Sequence, residues 1–97
     1  MKTIILKKWV EDNMGKPFEL STTDCLKIAL NTTPTQGFNP AEMRQRIKLL
    51  DSVEAIKKGQ KEWKVEDNDW NKIKDCVNAS TWGILSKNIL EFTEQFA

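Results

Sequence analysis

Histidine and tyrosine are absent from this chain of 97 residues, and cysteine, proline and glycine number only two, three and four. Without histidine the chain lacks the commonest general base, the usual partner of a serine or cysteine nucleophile, and the commonest zinc ligand. Two cysteines cannot complete a four-thiolate metal site, and the glycines form no phosphate-binding loop. We therefore expect a protein that is not an enzyme and holds no cofactor or metal.

An excess of charge of one sign is also missing. Lys and Arg number 15 against 14 Asp and Glu, so the net charge of +1 gives no overall field toward nucleic acid or membrane, and any basic patch must be local. No apolar run is long enough for a signal-peptide core or a membrane span. We therefore predict a cytoplasmic protein that binds neither a membrane nor a small-molecule substrate. The length predicts a single domain over residues 1–97.

The two cysteines are far apart in the chain and fall on the apolar sides of predicted helices. Cys25 and Cys76 are therefore predicted to be reduced thiols in the core, where cysteine acts as a small apolar side chain. A disulfide is the alternative that this interpretation disfavours in a cytoplasmic protein.

The N-terminal residues favour extended structure. Thr3–Val10 is rich in β-branched and apolar residues, turn formers including Gly15 follow it, and Pro17–Leu20 is a second extended stretch. This order predicts a β-hairpin. Much later, Glu62–Val65 alternates charged and apolar residues and is a candidate third strand, which would extend the hairpin into a sheet.

The segment 39–59 carries a full set of helix signals, with Asn39 as the cap, Pro40 in the first turn and Gly59 at the stop. Its apolar residues cover about half of the helix circumference, enough to contact two elements: Met43, Ile47, Leu49, Leu50, Val53 and Ile56. Arg46 falls inside this arc, one turn after Glu42. We predict that its stem packs on the core and its head pairs with Glu42 at the rim, with ligand binding as the alternative.

Three further helices are predicted. Ser21 precedes the first, at about residues 22–31. The stretch 66–69, which holds three acidic residues, begins another helix that ends at about Asn78. A helix start explains these acidic residues without a bound calcium or magnesium ion. The last segment spaces its apolar residues by three and four, as in a coiled-coil seam: Trp82, Leu85, Ile89, Phe92 and Phe96. The predicted fold is α+β, an N-terminal hairpin packed on about four helices.

Four tryptophans are many for a chain of this length. Trp70 and Trp82 lie on core stripes, but Trp9 and Trp63 lie beside lysines, and Leu90 lies off the apolar seam of the last helix. Tryptophan is frequent at binding hot spots. The leading hypothesis is protein binding, to a second copy or to another protein, through Trp9, Trp63 and Leu90.

Nucleic-acid binding is the alternative. Lysines interleave with Trp9 and Trp63, as phosphate contact and base stacking on a single strand require. The residues that would serve this function are Lys7, Lys8, Lys57, Lys58, Lys61 and Lys64. Glu11, Glu62 and Glu66 dilute this charge, and a structural role for both tryptophans, with the lysines simply solvated, is the competing interpretation.

The order of motifs resembles that of small proteins of unassigned role encoded by tailed bacteriophages and prophages. The resemblance covers about Ile4 to Phe96 and rests on short stretches: Gly15-Lys16-Pro17, Cys25 to Asn31, Arg46 to Leu50, and Val65-Glu66-Asp67 before Ile73-Lys74. It implies a viral origin, the cytoplasm of a host cell, and a non-catalytic accessory role. It implies no functional residues.

Overall fold

The structure is a computed structural model that describes residues 1–97, apart from the side chain of Asn13, and its fold is α+β as predicted. The elements follow one another as β1 (Lys2–Ile5), β2 (Lys8–Asn13), β3 (Lys16–Ser21), α1 (Thr22–Asn31), α2 (Pro40–Glu54), β4 (Glu62–Val65), α3 (Asp67–Ala79) and α4 (Lys87–Glu94). The strands form two antiparallel pairs, β1 with β4 and β2 with β3.

The N-terminal stretch forms two strands that belong to different sheets. The sequence predicted one strand over Thr3–Val10, but the chain leaves the strand conformation at residues 6 and 7. The predicted strand at Glu62–Val65 is confirmed, although it pairs with β1, where Ile4 lies opposite Trp63, and does not extend the hairpin. One continuous strand was the wrong prediction because the chain changes its partner at Lys7, which bonds to Thr22 at the start of α1.

The hairpin of β2 and β3 is confirmed, and its turn explains the register. Met14 and Gly15 have φ values of 55° and 82°, so both central residues of the two-residue loop are left-handed. That geometry is typical of the tight turn whose twist matches paired strands. The Gly15 N–H also donates to Asp12 Oδ1 at 3.0 Å, which stabilises the turn.

Local capping chemistry sets where α1 and α2 begin. Ser21 Oγ accepts from the Asp24 N–H at 3.2 Å, and Asn39 Oδ1 accepts from the Glu42 N–H at 2.8 Å. Each bond satisfies a backbone donor that the helix leaves free. α2 nevertheless ends at Glu54, and Gly59 lies in the turn that follows.

Only one side of the wide apolar arc of α2 is buried. Leu49 and Val53 face the core, whereas Met43 and Ile47 are 46% and 56% exposed. Within one copy of the chain α2 packs on α1 and also contacts α3 through the pair of Glu42 and Lys72, but Met43 and Ile47 stay at the surface.

The C-terminal seam also divides into two parts. Ser86 Oγ accepts from the Ile89 N–H at 3.2 Å and caps α4, so Trp82 and Leu85 precede the helix. Leu85 is fully exposed, while Ile89 and Phe96 are buried. The continuous coiled-coil seam was a wrong prediction because a cap interrupts the helix between its apolar residues.

The core lies where α1 packs on α3 and α4 and where β1 closes one side. Its buried apolar residues are Ile4, Cys25, Leu26, Ala29, Leu30, Leu49, Val53, Val65, Ile73, Cys76, Val77, Ile89, Phe92 and Phe96. Both cysteines are buried, free thiols, as predicted. Among the described residues, none of the helices combines the length and the apolar character that crossing a membrane requires.

Candidate functional site

Three distant parts of the chain meet at the link between β1 and β2. The Leu6 N–H donates to Lys61 O at 2.9 Å, and the Lys7 N–H donates to Thr22 Oγ1 at 2.8 Å. The Thr22 N–H in turn donates to Lys7 O at 2.9 Å, and the Thr22 side chain is buried. These bonds hold residues 6–8, the start of α1 and the turn before β4 side by side.

The turn before β4 is ordered by Gln60. Its N–H donates to Lys57 O at 3.0 Å, its Oε1 accepts from the Lys57 N–H at 3.3 Å, and its Nε2 donates to Glu62 O at 2.7 Å. Gly59 has a φ of 85°, a left-handed conformation that glycine adopts without strain. The lysines at 57, 58 and 61 are thus carried by a structured turn.

These segments enclose an open concavity of about 480 Å³, which we term the lysine concavity. Its lining residues are Leu6, Lys7, Lys8, Ser21, Thr23, Ile56, Lys57, Lys58, Gly59, Gln60 and Lys61. Five of the six lysines predicted as nucleic-acid contacts are in this set, and no aspartate or glutamate is. The fold therefore concentrates positive charge that the nearly neutral chain does not show as a whole.

The lysines of the concavity have few competing acidic partners. The Nζ atoms of Lys7 and Lys8 lie 3.8 Å from Glu91 Oε2 and 3.9 Å from Glu19 Oε2, in exposed pairs that contribute little. Among the described residues, no carboxylate oxygen lies within 4 Å of the ammonium groups of the other three lysines. Those three charges are available to an anion from solution.

Lys64, the sixth predicted lysine, does not line the concavity. It lies on β4, where side chains alternate between the two faces, so that the half-buried Trp63 points to the core side while Lys64 is exposed. The sequence left open whether the lysines and both tryptophans share one surface. In the structure Lys64, Trp63 and Trp9 all lie outside the lining of the concavity.

Trp9, Trp63 and Leu90 have different surroundings. Trp9 and Trp63 are half-buried and pack on the core, and the Trp9 indole N–H is buried without a hydrogen-bond partner among the described residues. Trp9 also lines a smaller concavity of about 130 Å³ that shares Lys7 with the larger one. Leu90, in contrast, is 57% exposed on α4.

The start of α1 is a part of this site that sequence reasoning missed. Ser21 and Thr23 line the lysine concavity, and their hydroxyl oxygens lie 2.7 Å apart. The helix dipole places partial positive charge at this end of α1, although Asp24 in the first turn offsets part of it. The capping pattern was visible in the sequence, but its position beside the lysines was not.

Arg46 is part of the packing between helices. Its Nε donates to Glu42 Oε1 at 2.8 Å, and its Nη1 donates to Leu30 O at 3.1 Å and to Thr32 O at 2.7 Å. The predicted pair with Glu42 is present, and Arg46 as a whole is only 7% exposed. It satisfies carbonyl groups at the end of α1, which is a structural role.

No family model, curated protein or solved structure matches this chain. The bacteriophage origin implied by the resemblance stays a prediction.

Proposed function

We propose that this protein is a small, non-catalytic binding protein that contacts the phosphate backbone of a nucleic acid in the lysine concavity. The observation that supports the proposal most strongly is the convergence of five lysines around a hollow with no acidic lining residue. Lysine is a compact charge on a flexible stem and suits contact with phosphate. Phosphate contacts supply most of the affinity in binding that does not depend on nucleic-acid sequence.

The same surroundings favour backbone contact over base stacking. Stacking needs an aromatic face that a base can cover. Trp9 and Trp63 are both packed against the core, and neither lines the lysine concavity. We therefore expect affinity that depends little on base sequence and strongly on salt.

The first experiment is a titration of fluorescent single- and double-stranded oligonucleotides at 50 and 200 mM salt. If all five lysines contact phosphates, the affinity falls by roughly 100-fold for a single strand and roughly 500-fold for a duplex over this range. Absence of binding at the lower salt concentration would contradict the proposal.

A matched pair of variants then tests the site. The triple variant K57Q/K58Q/K61Q removes the lysines without acidic partners, whereas K16Q/K64Q/K87Q removes three exposed lysines outside the concavity. We expect the first variant alone to make the negative slope of log affinity against log salt shallower, by about 2 for a single strand. An equal loss of salt dependence in both variants would indicate that binding responds only to net charge, and it would contradict the concavity as the binding site.

Protein binding through Leu90 is the second proposal, and the exposure of this side chain on α4 favours it. The accessory role implied by the bacteriophage resemblance is compatible with either proposal. The test is to capture partners with the wild-type chain, with L90S and with V10S, since Val10 is an exposed aliphatic residue on a different element. A partner lost only with L90S supports this proposal, and a partner retained by all three removes Leu90 from it.

A further inference from the structure

The outward face of α2 carries an apolar seam that one copy of the chain leaves uncovered. Met43, Ile47 and Leu50 are spaced by four and three residues, the spacing of the d, a and d positions of a coiled-coil heptad. Met43 and Ile47 are about half exposed, and Leu50 is partly buried at the edge of the core. We name Met43, Ile47 and Leu50 the α2 seam.

A shallow apolar hollow of about 140 Å³ adjoins the α2 seam. Its lining includes the three seam residues, together with Phe38 and with Leu30 and Asn31 at the end of α1. The Phe38 ring is held under the Arg46 guanidinium, whose central carbon lies 5.1 Å from the ring centroid. The seam is thus a preformed surface with room for an aliphatic side chain.

Two charges of opposite sign, Arg44 and Asp51, lie along one flank of the α2 seam. Arg44 and Asp51 are seven residues apart and both occupy heptad position e, on the solvent side. They are separated by about 10 Å along the helix axis. Neither has an oppositely charged group within 4 Å among the described residues. The opposite flank, position g, holds Arg46 and Val53, which are buried in their own copy.

We propose that a second copy of this chain covers the α2 seam, with the two α2 helices antiparallel. In an antiparallel pair, position e of one helix faces position e of the other, so that Arg44 meets Asp51 of the second copy, and Asp51 meets its Arg44. A parallel pair would instead place e against g, where the side chains are already buried. The flank is complementary to itself, which specifies a second copy in preference to a foreign helix.

Charge reversal gives a sharp test because the two contacts are reciprocal. Sedimentation equilibrium over roughly a hundredfold range of concentration, up to about 1 mM, measures the dimer fraction. R44D alone and D51R alone each bring like charges together, and we expect each to weaken the dimer about tenfold or more. An equimolar mixture of the two variants, and the double variant R44D/D51R, place opposite charges in contact again and restore the dimer.

Matched aliphatic variants test the apolar part of the interface. I47E places a charge in the α2 seam and should abolish the dimer, whereas V10E changes an exposed residue on β2 and should leave it intact. A wild-type chain that stays monomeric up to about 1 mM overturns the proposal. So does a mixture or a double variant that stays monomeric, or a V10E variant that loses the dimer as I47E does. None of these outcomes depends on the lysine concavity or on nucleic-acid binding.

Discussion

The ammonium group of Lys72 lies 2.5 and 2.6 Å from the two carboxylate oxygens of Glu42, 30 residues earlier in the chain. Arg46 Nε donates to the same carboxylate at 2.8 Å. Because Arg46 also donates to carbonyl groups at the end of α1, this one cluster joins α1, α2 and α3. Its geometry leads to the first two predictions.

Replacing Glu42 by Gln should lower the free energy of unfolding by about 2 to 3 kcal/mol, since it leaves the buried Arg46 without its anion. Denaturant unfolding at neutral pH measures the change. The control is E54Q, which breaks the more exposed pair of Glu54 Oε1 with Lys27 Nζ at 3.0 Å and should cost less than about 1 kcal/mol. Equal losses in the two variants would contradict the central role of the cluster.

Stability should depend on the ionisation of Glu42 in acid. Hydrogen bonds from Lys72 and then Arg46 hold the pKa of the Glu42 carboxyl below its ordinary value of 4.5. Its contribution is therefore complete above that value and is lost as the pH falls through the lower pKa of the folded state. Unfolding curves of the wild-type chain and E42Q should converge as the pH decreases below 4.5. A constant difference down to low pH would contradict this assignment.

The buried thiols should be inert in the folded protein. Burial, followed by repulsion from Asp24 and Glu11, raises the pKa of Cys25 to about 12, and burial also raises the pKa of Cys76. A thiol reagent at mildly alkaline pH should label both cysteines only after unfolding. Because the folded pKa of Cys25 lies above the ordinary 9.0, stability should decline between pH 9 and 12, and C25A should lack that share of the decline. Rapid labelling of the native chain would exclude this account.

Truncation of two residues from the same periodic pattern, Phe96 and Leu85, should change stability by very different amounts. Phe96 is buried, with its ring centroid 5.5 Å from that of Phe92 and 5.8 Å from that of Trp70, so F96A should cost about 3 to 5 kcal/mol. Leu85 is fully exposed, and L85A should change stability by less than about 0.5 kcal/mol. Thermal or denaturant unfolding of both variants measures the two changes. A large loss of stability in L85A would contradict the exposed position of Leu85 and support the continuous seam.

The comparison of Ser86 with Ser21 shows how far the sequence could predict the helices. Ser21 precedes Thr22-Thr23-Asp24, which places a carboxylate at the third helical position, so its role as a cap was recognised. Ser86 lies inside a run of apolar residues with helical spacing, and the periodicity concealed the cap. A short polar residue within a periodic stretch is compatible with a surface position or a cap, and only its hydrogen bond to the Ile89 N–H distinguishes them.

The candidate site was predictable in its residues but not in its arrangement. The lysines near Trp9 and Trp63 were recognised from their spacing alone. Which of them share a surface depended on the bond from the Leu6 N–H to Lys61 O, which joins residues that are far apart in the chain. That bond brings Lys61 to the concavity, whereas Lys64 lies outside it on β4.

The sequence by itself determined the caps of α1 and α2, the left-handed turn at Gly15, and the apolar sides of α1 and α3, because each depends on residues within about four positions of one another. Its composition also determined the near-neutral charge. The tertiary structure alone decided that β1 pairs with β4, that the α2 seam stays uncovered in one copy, and that five lysines line one hollow. Those outcomes depend on contacts between distant segments, and local residue preferences do not specify which distant segment a strand or a helix face meets.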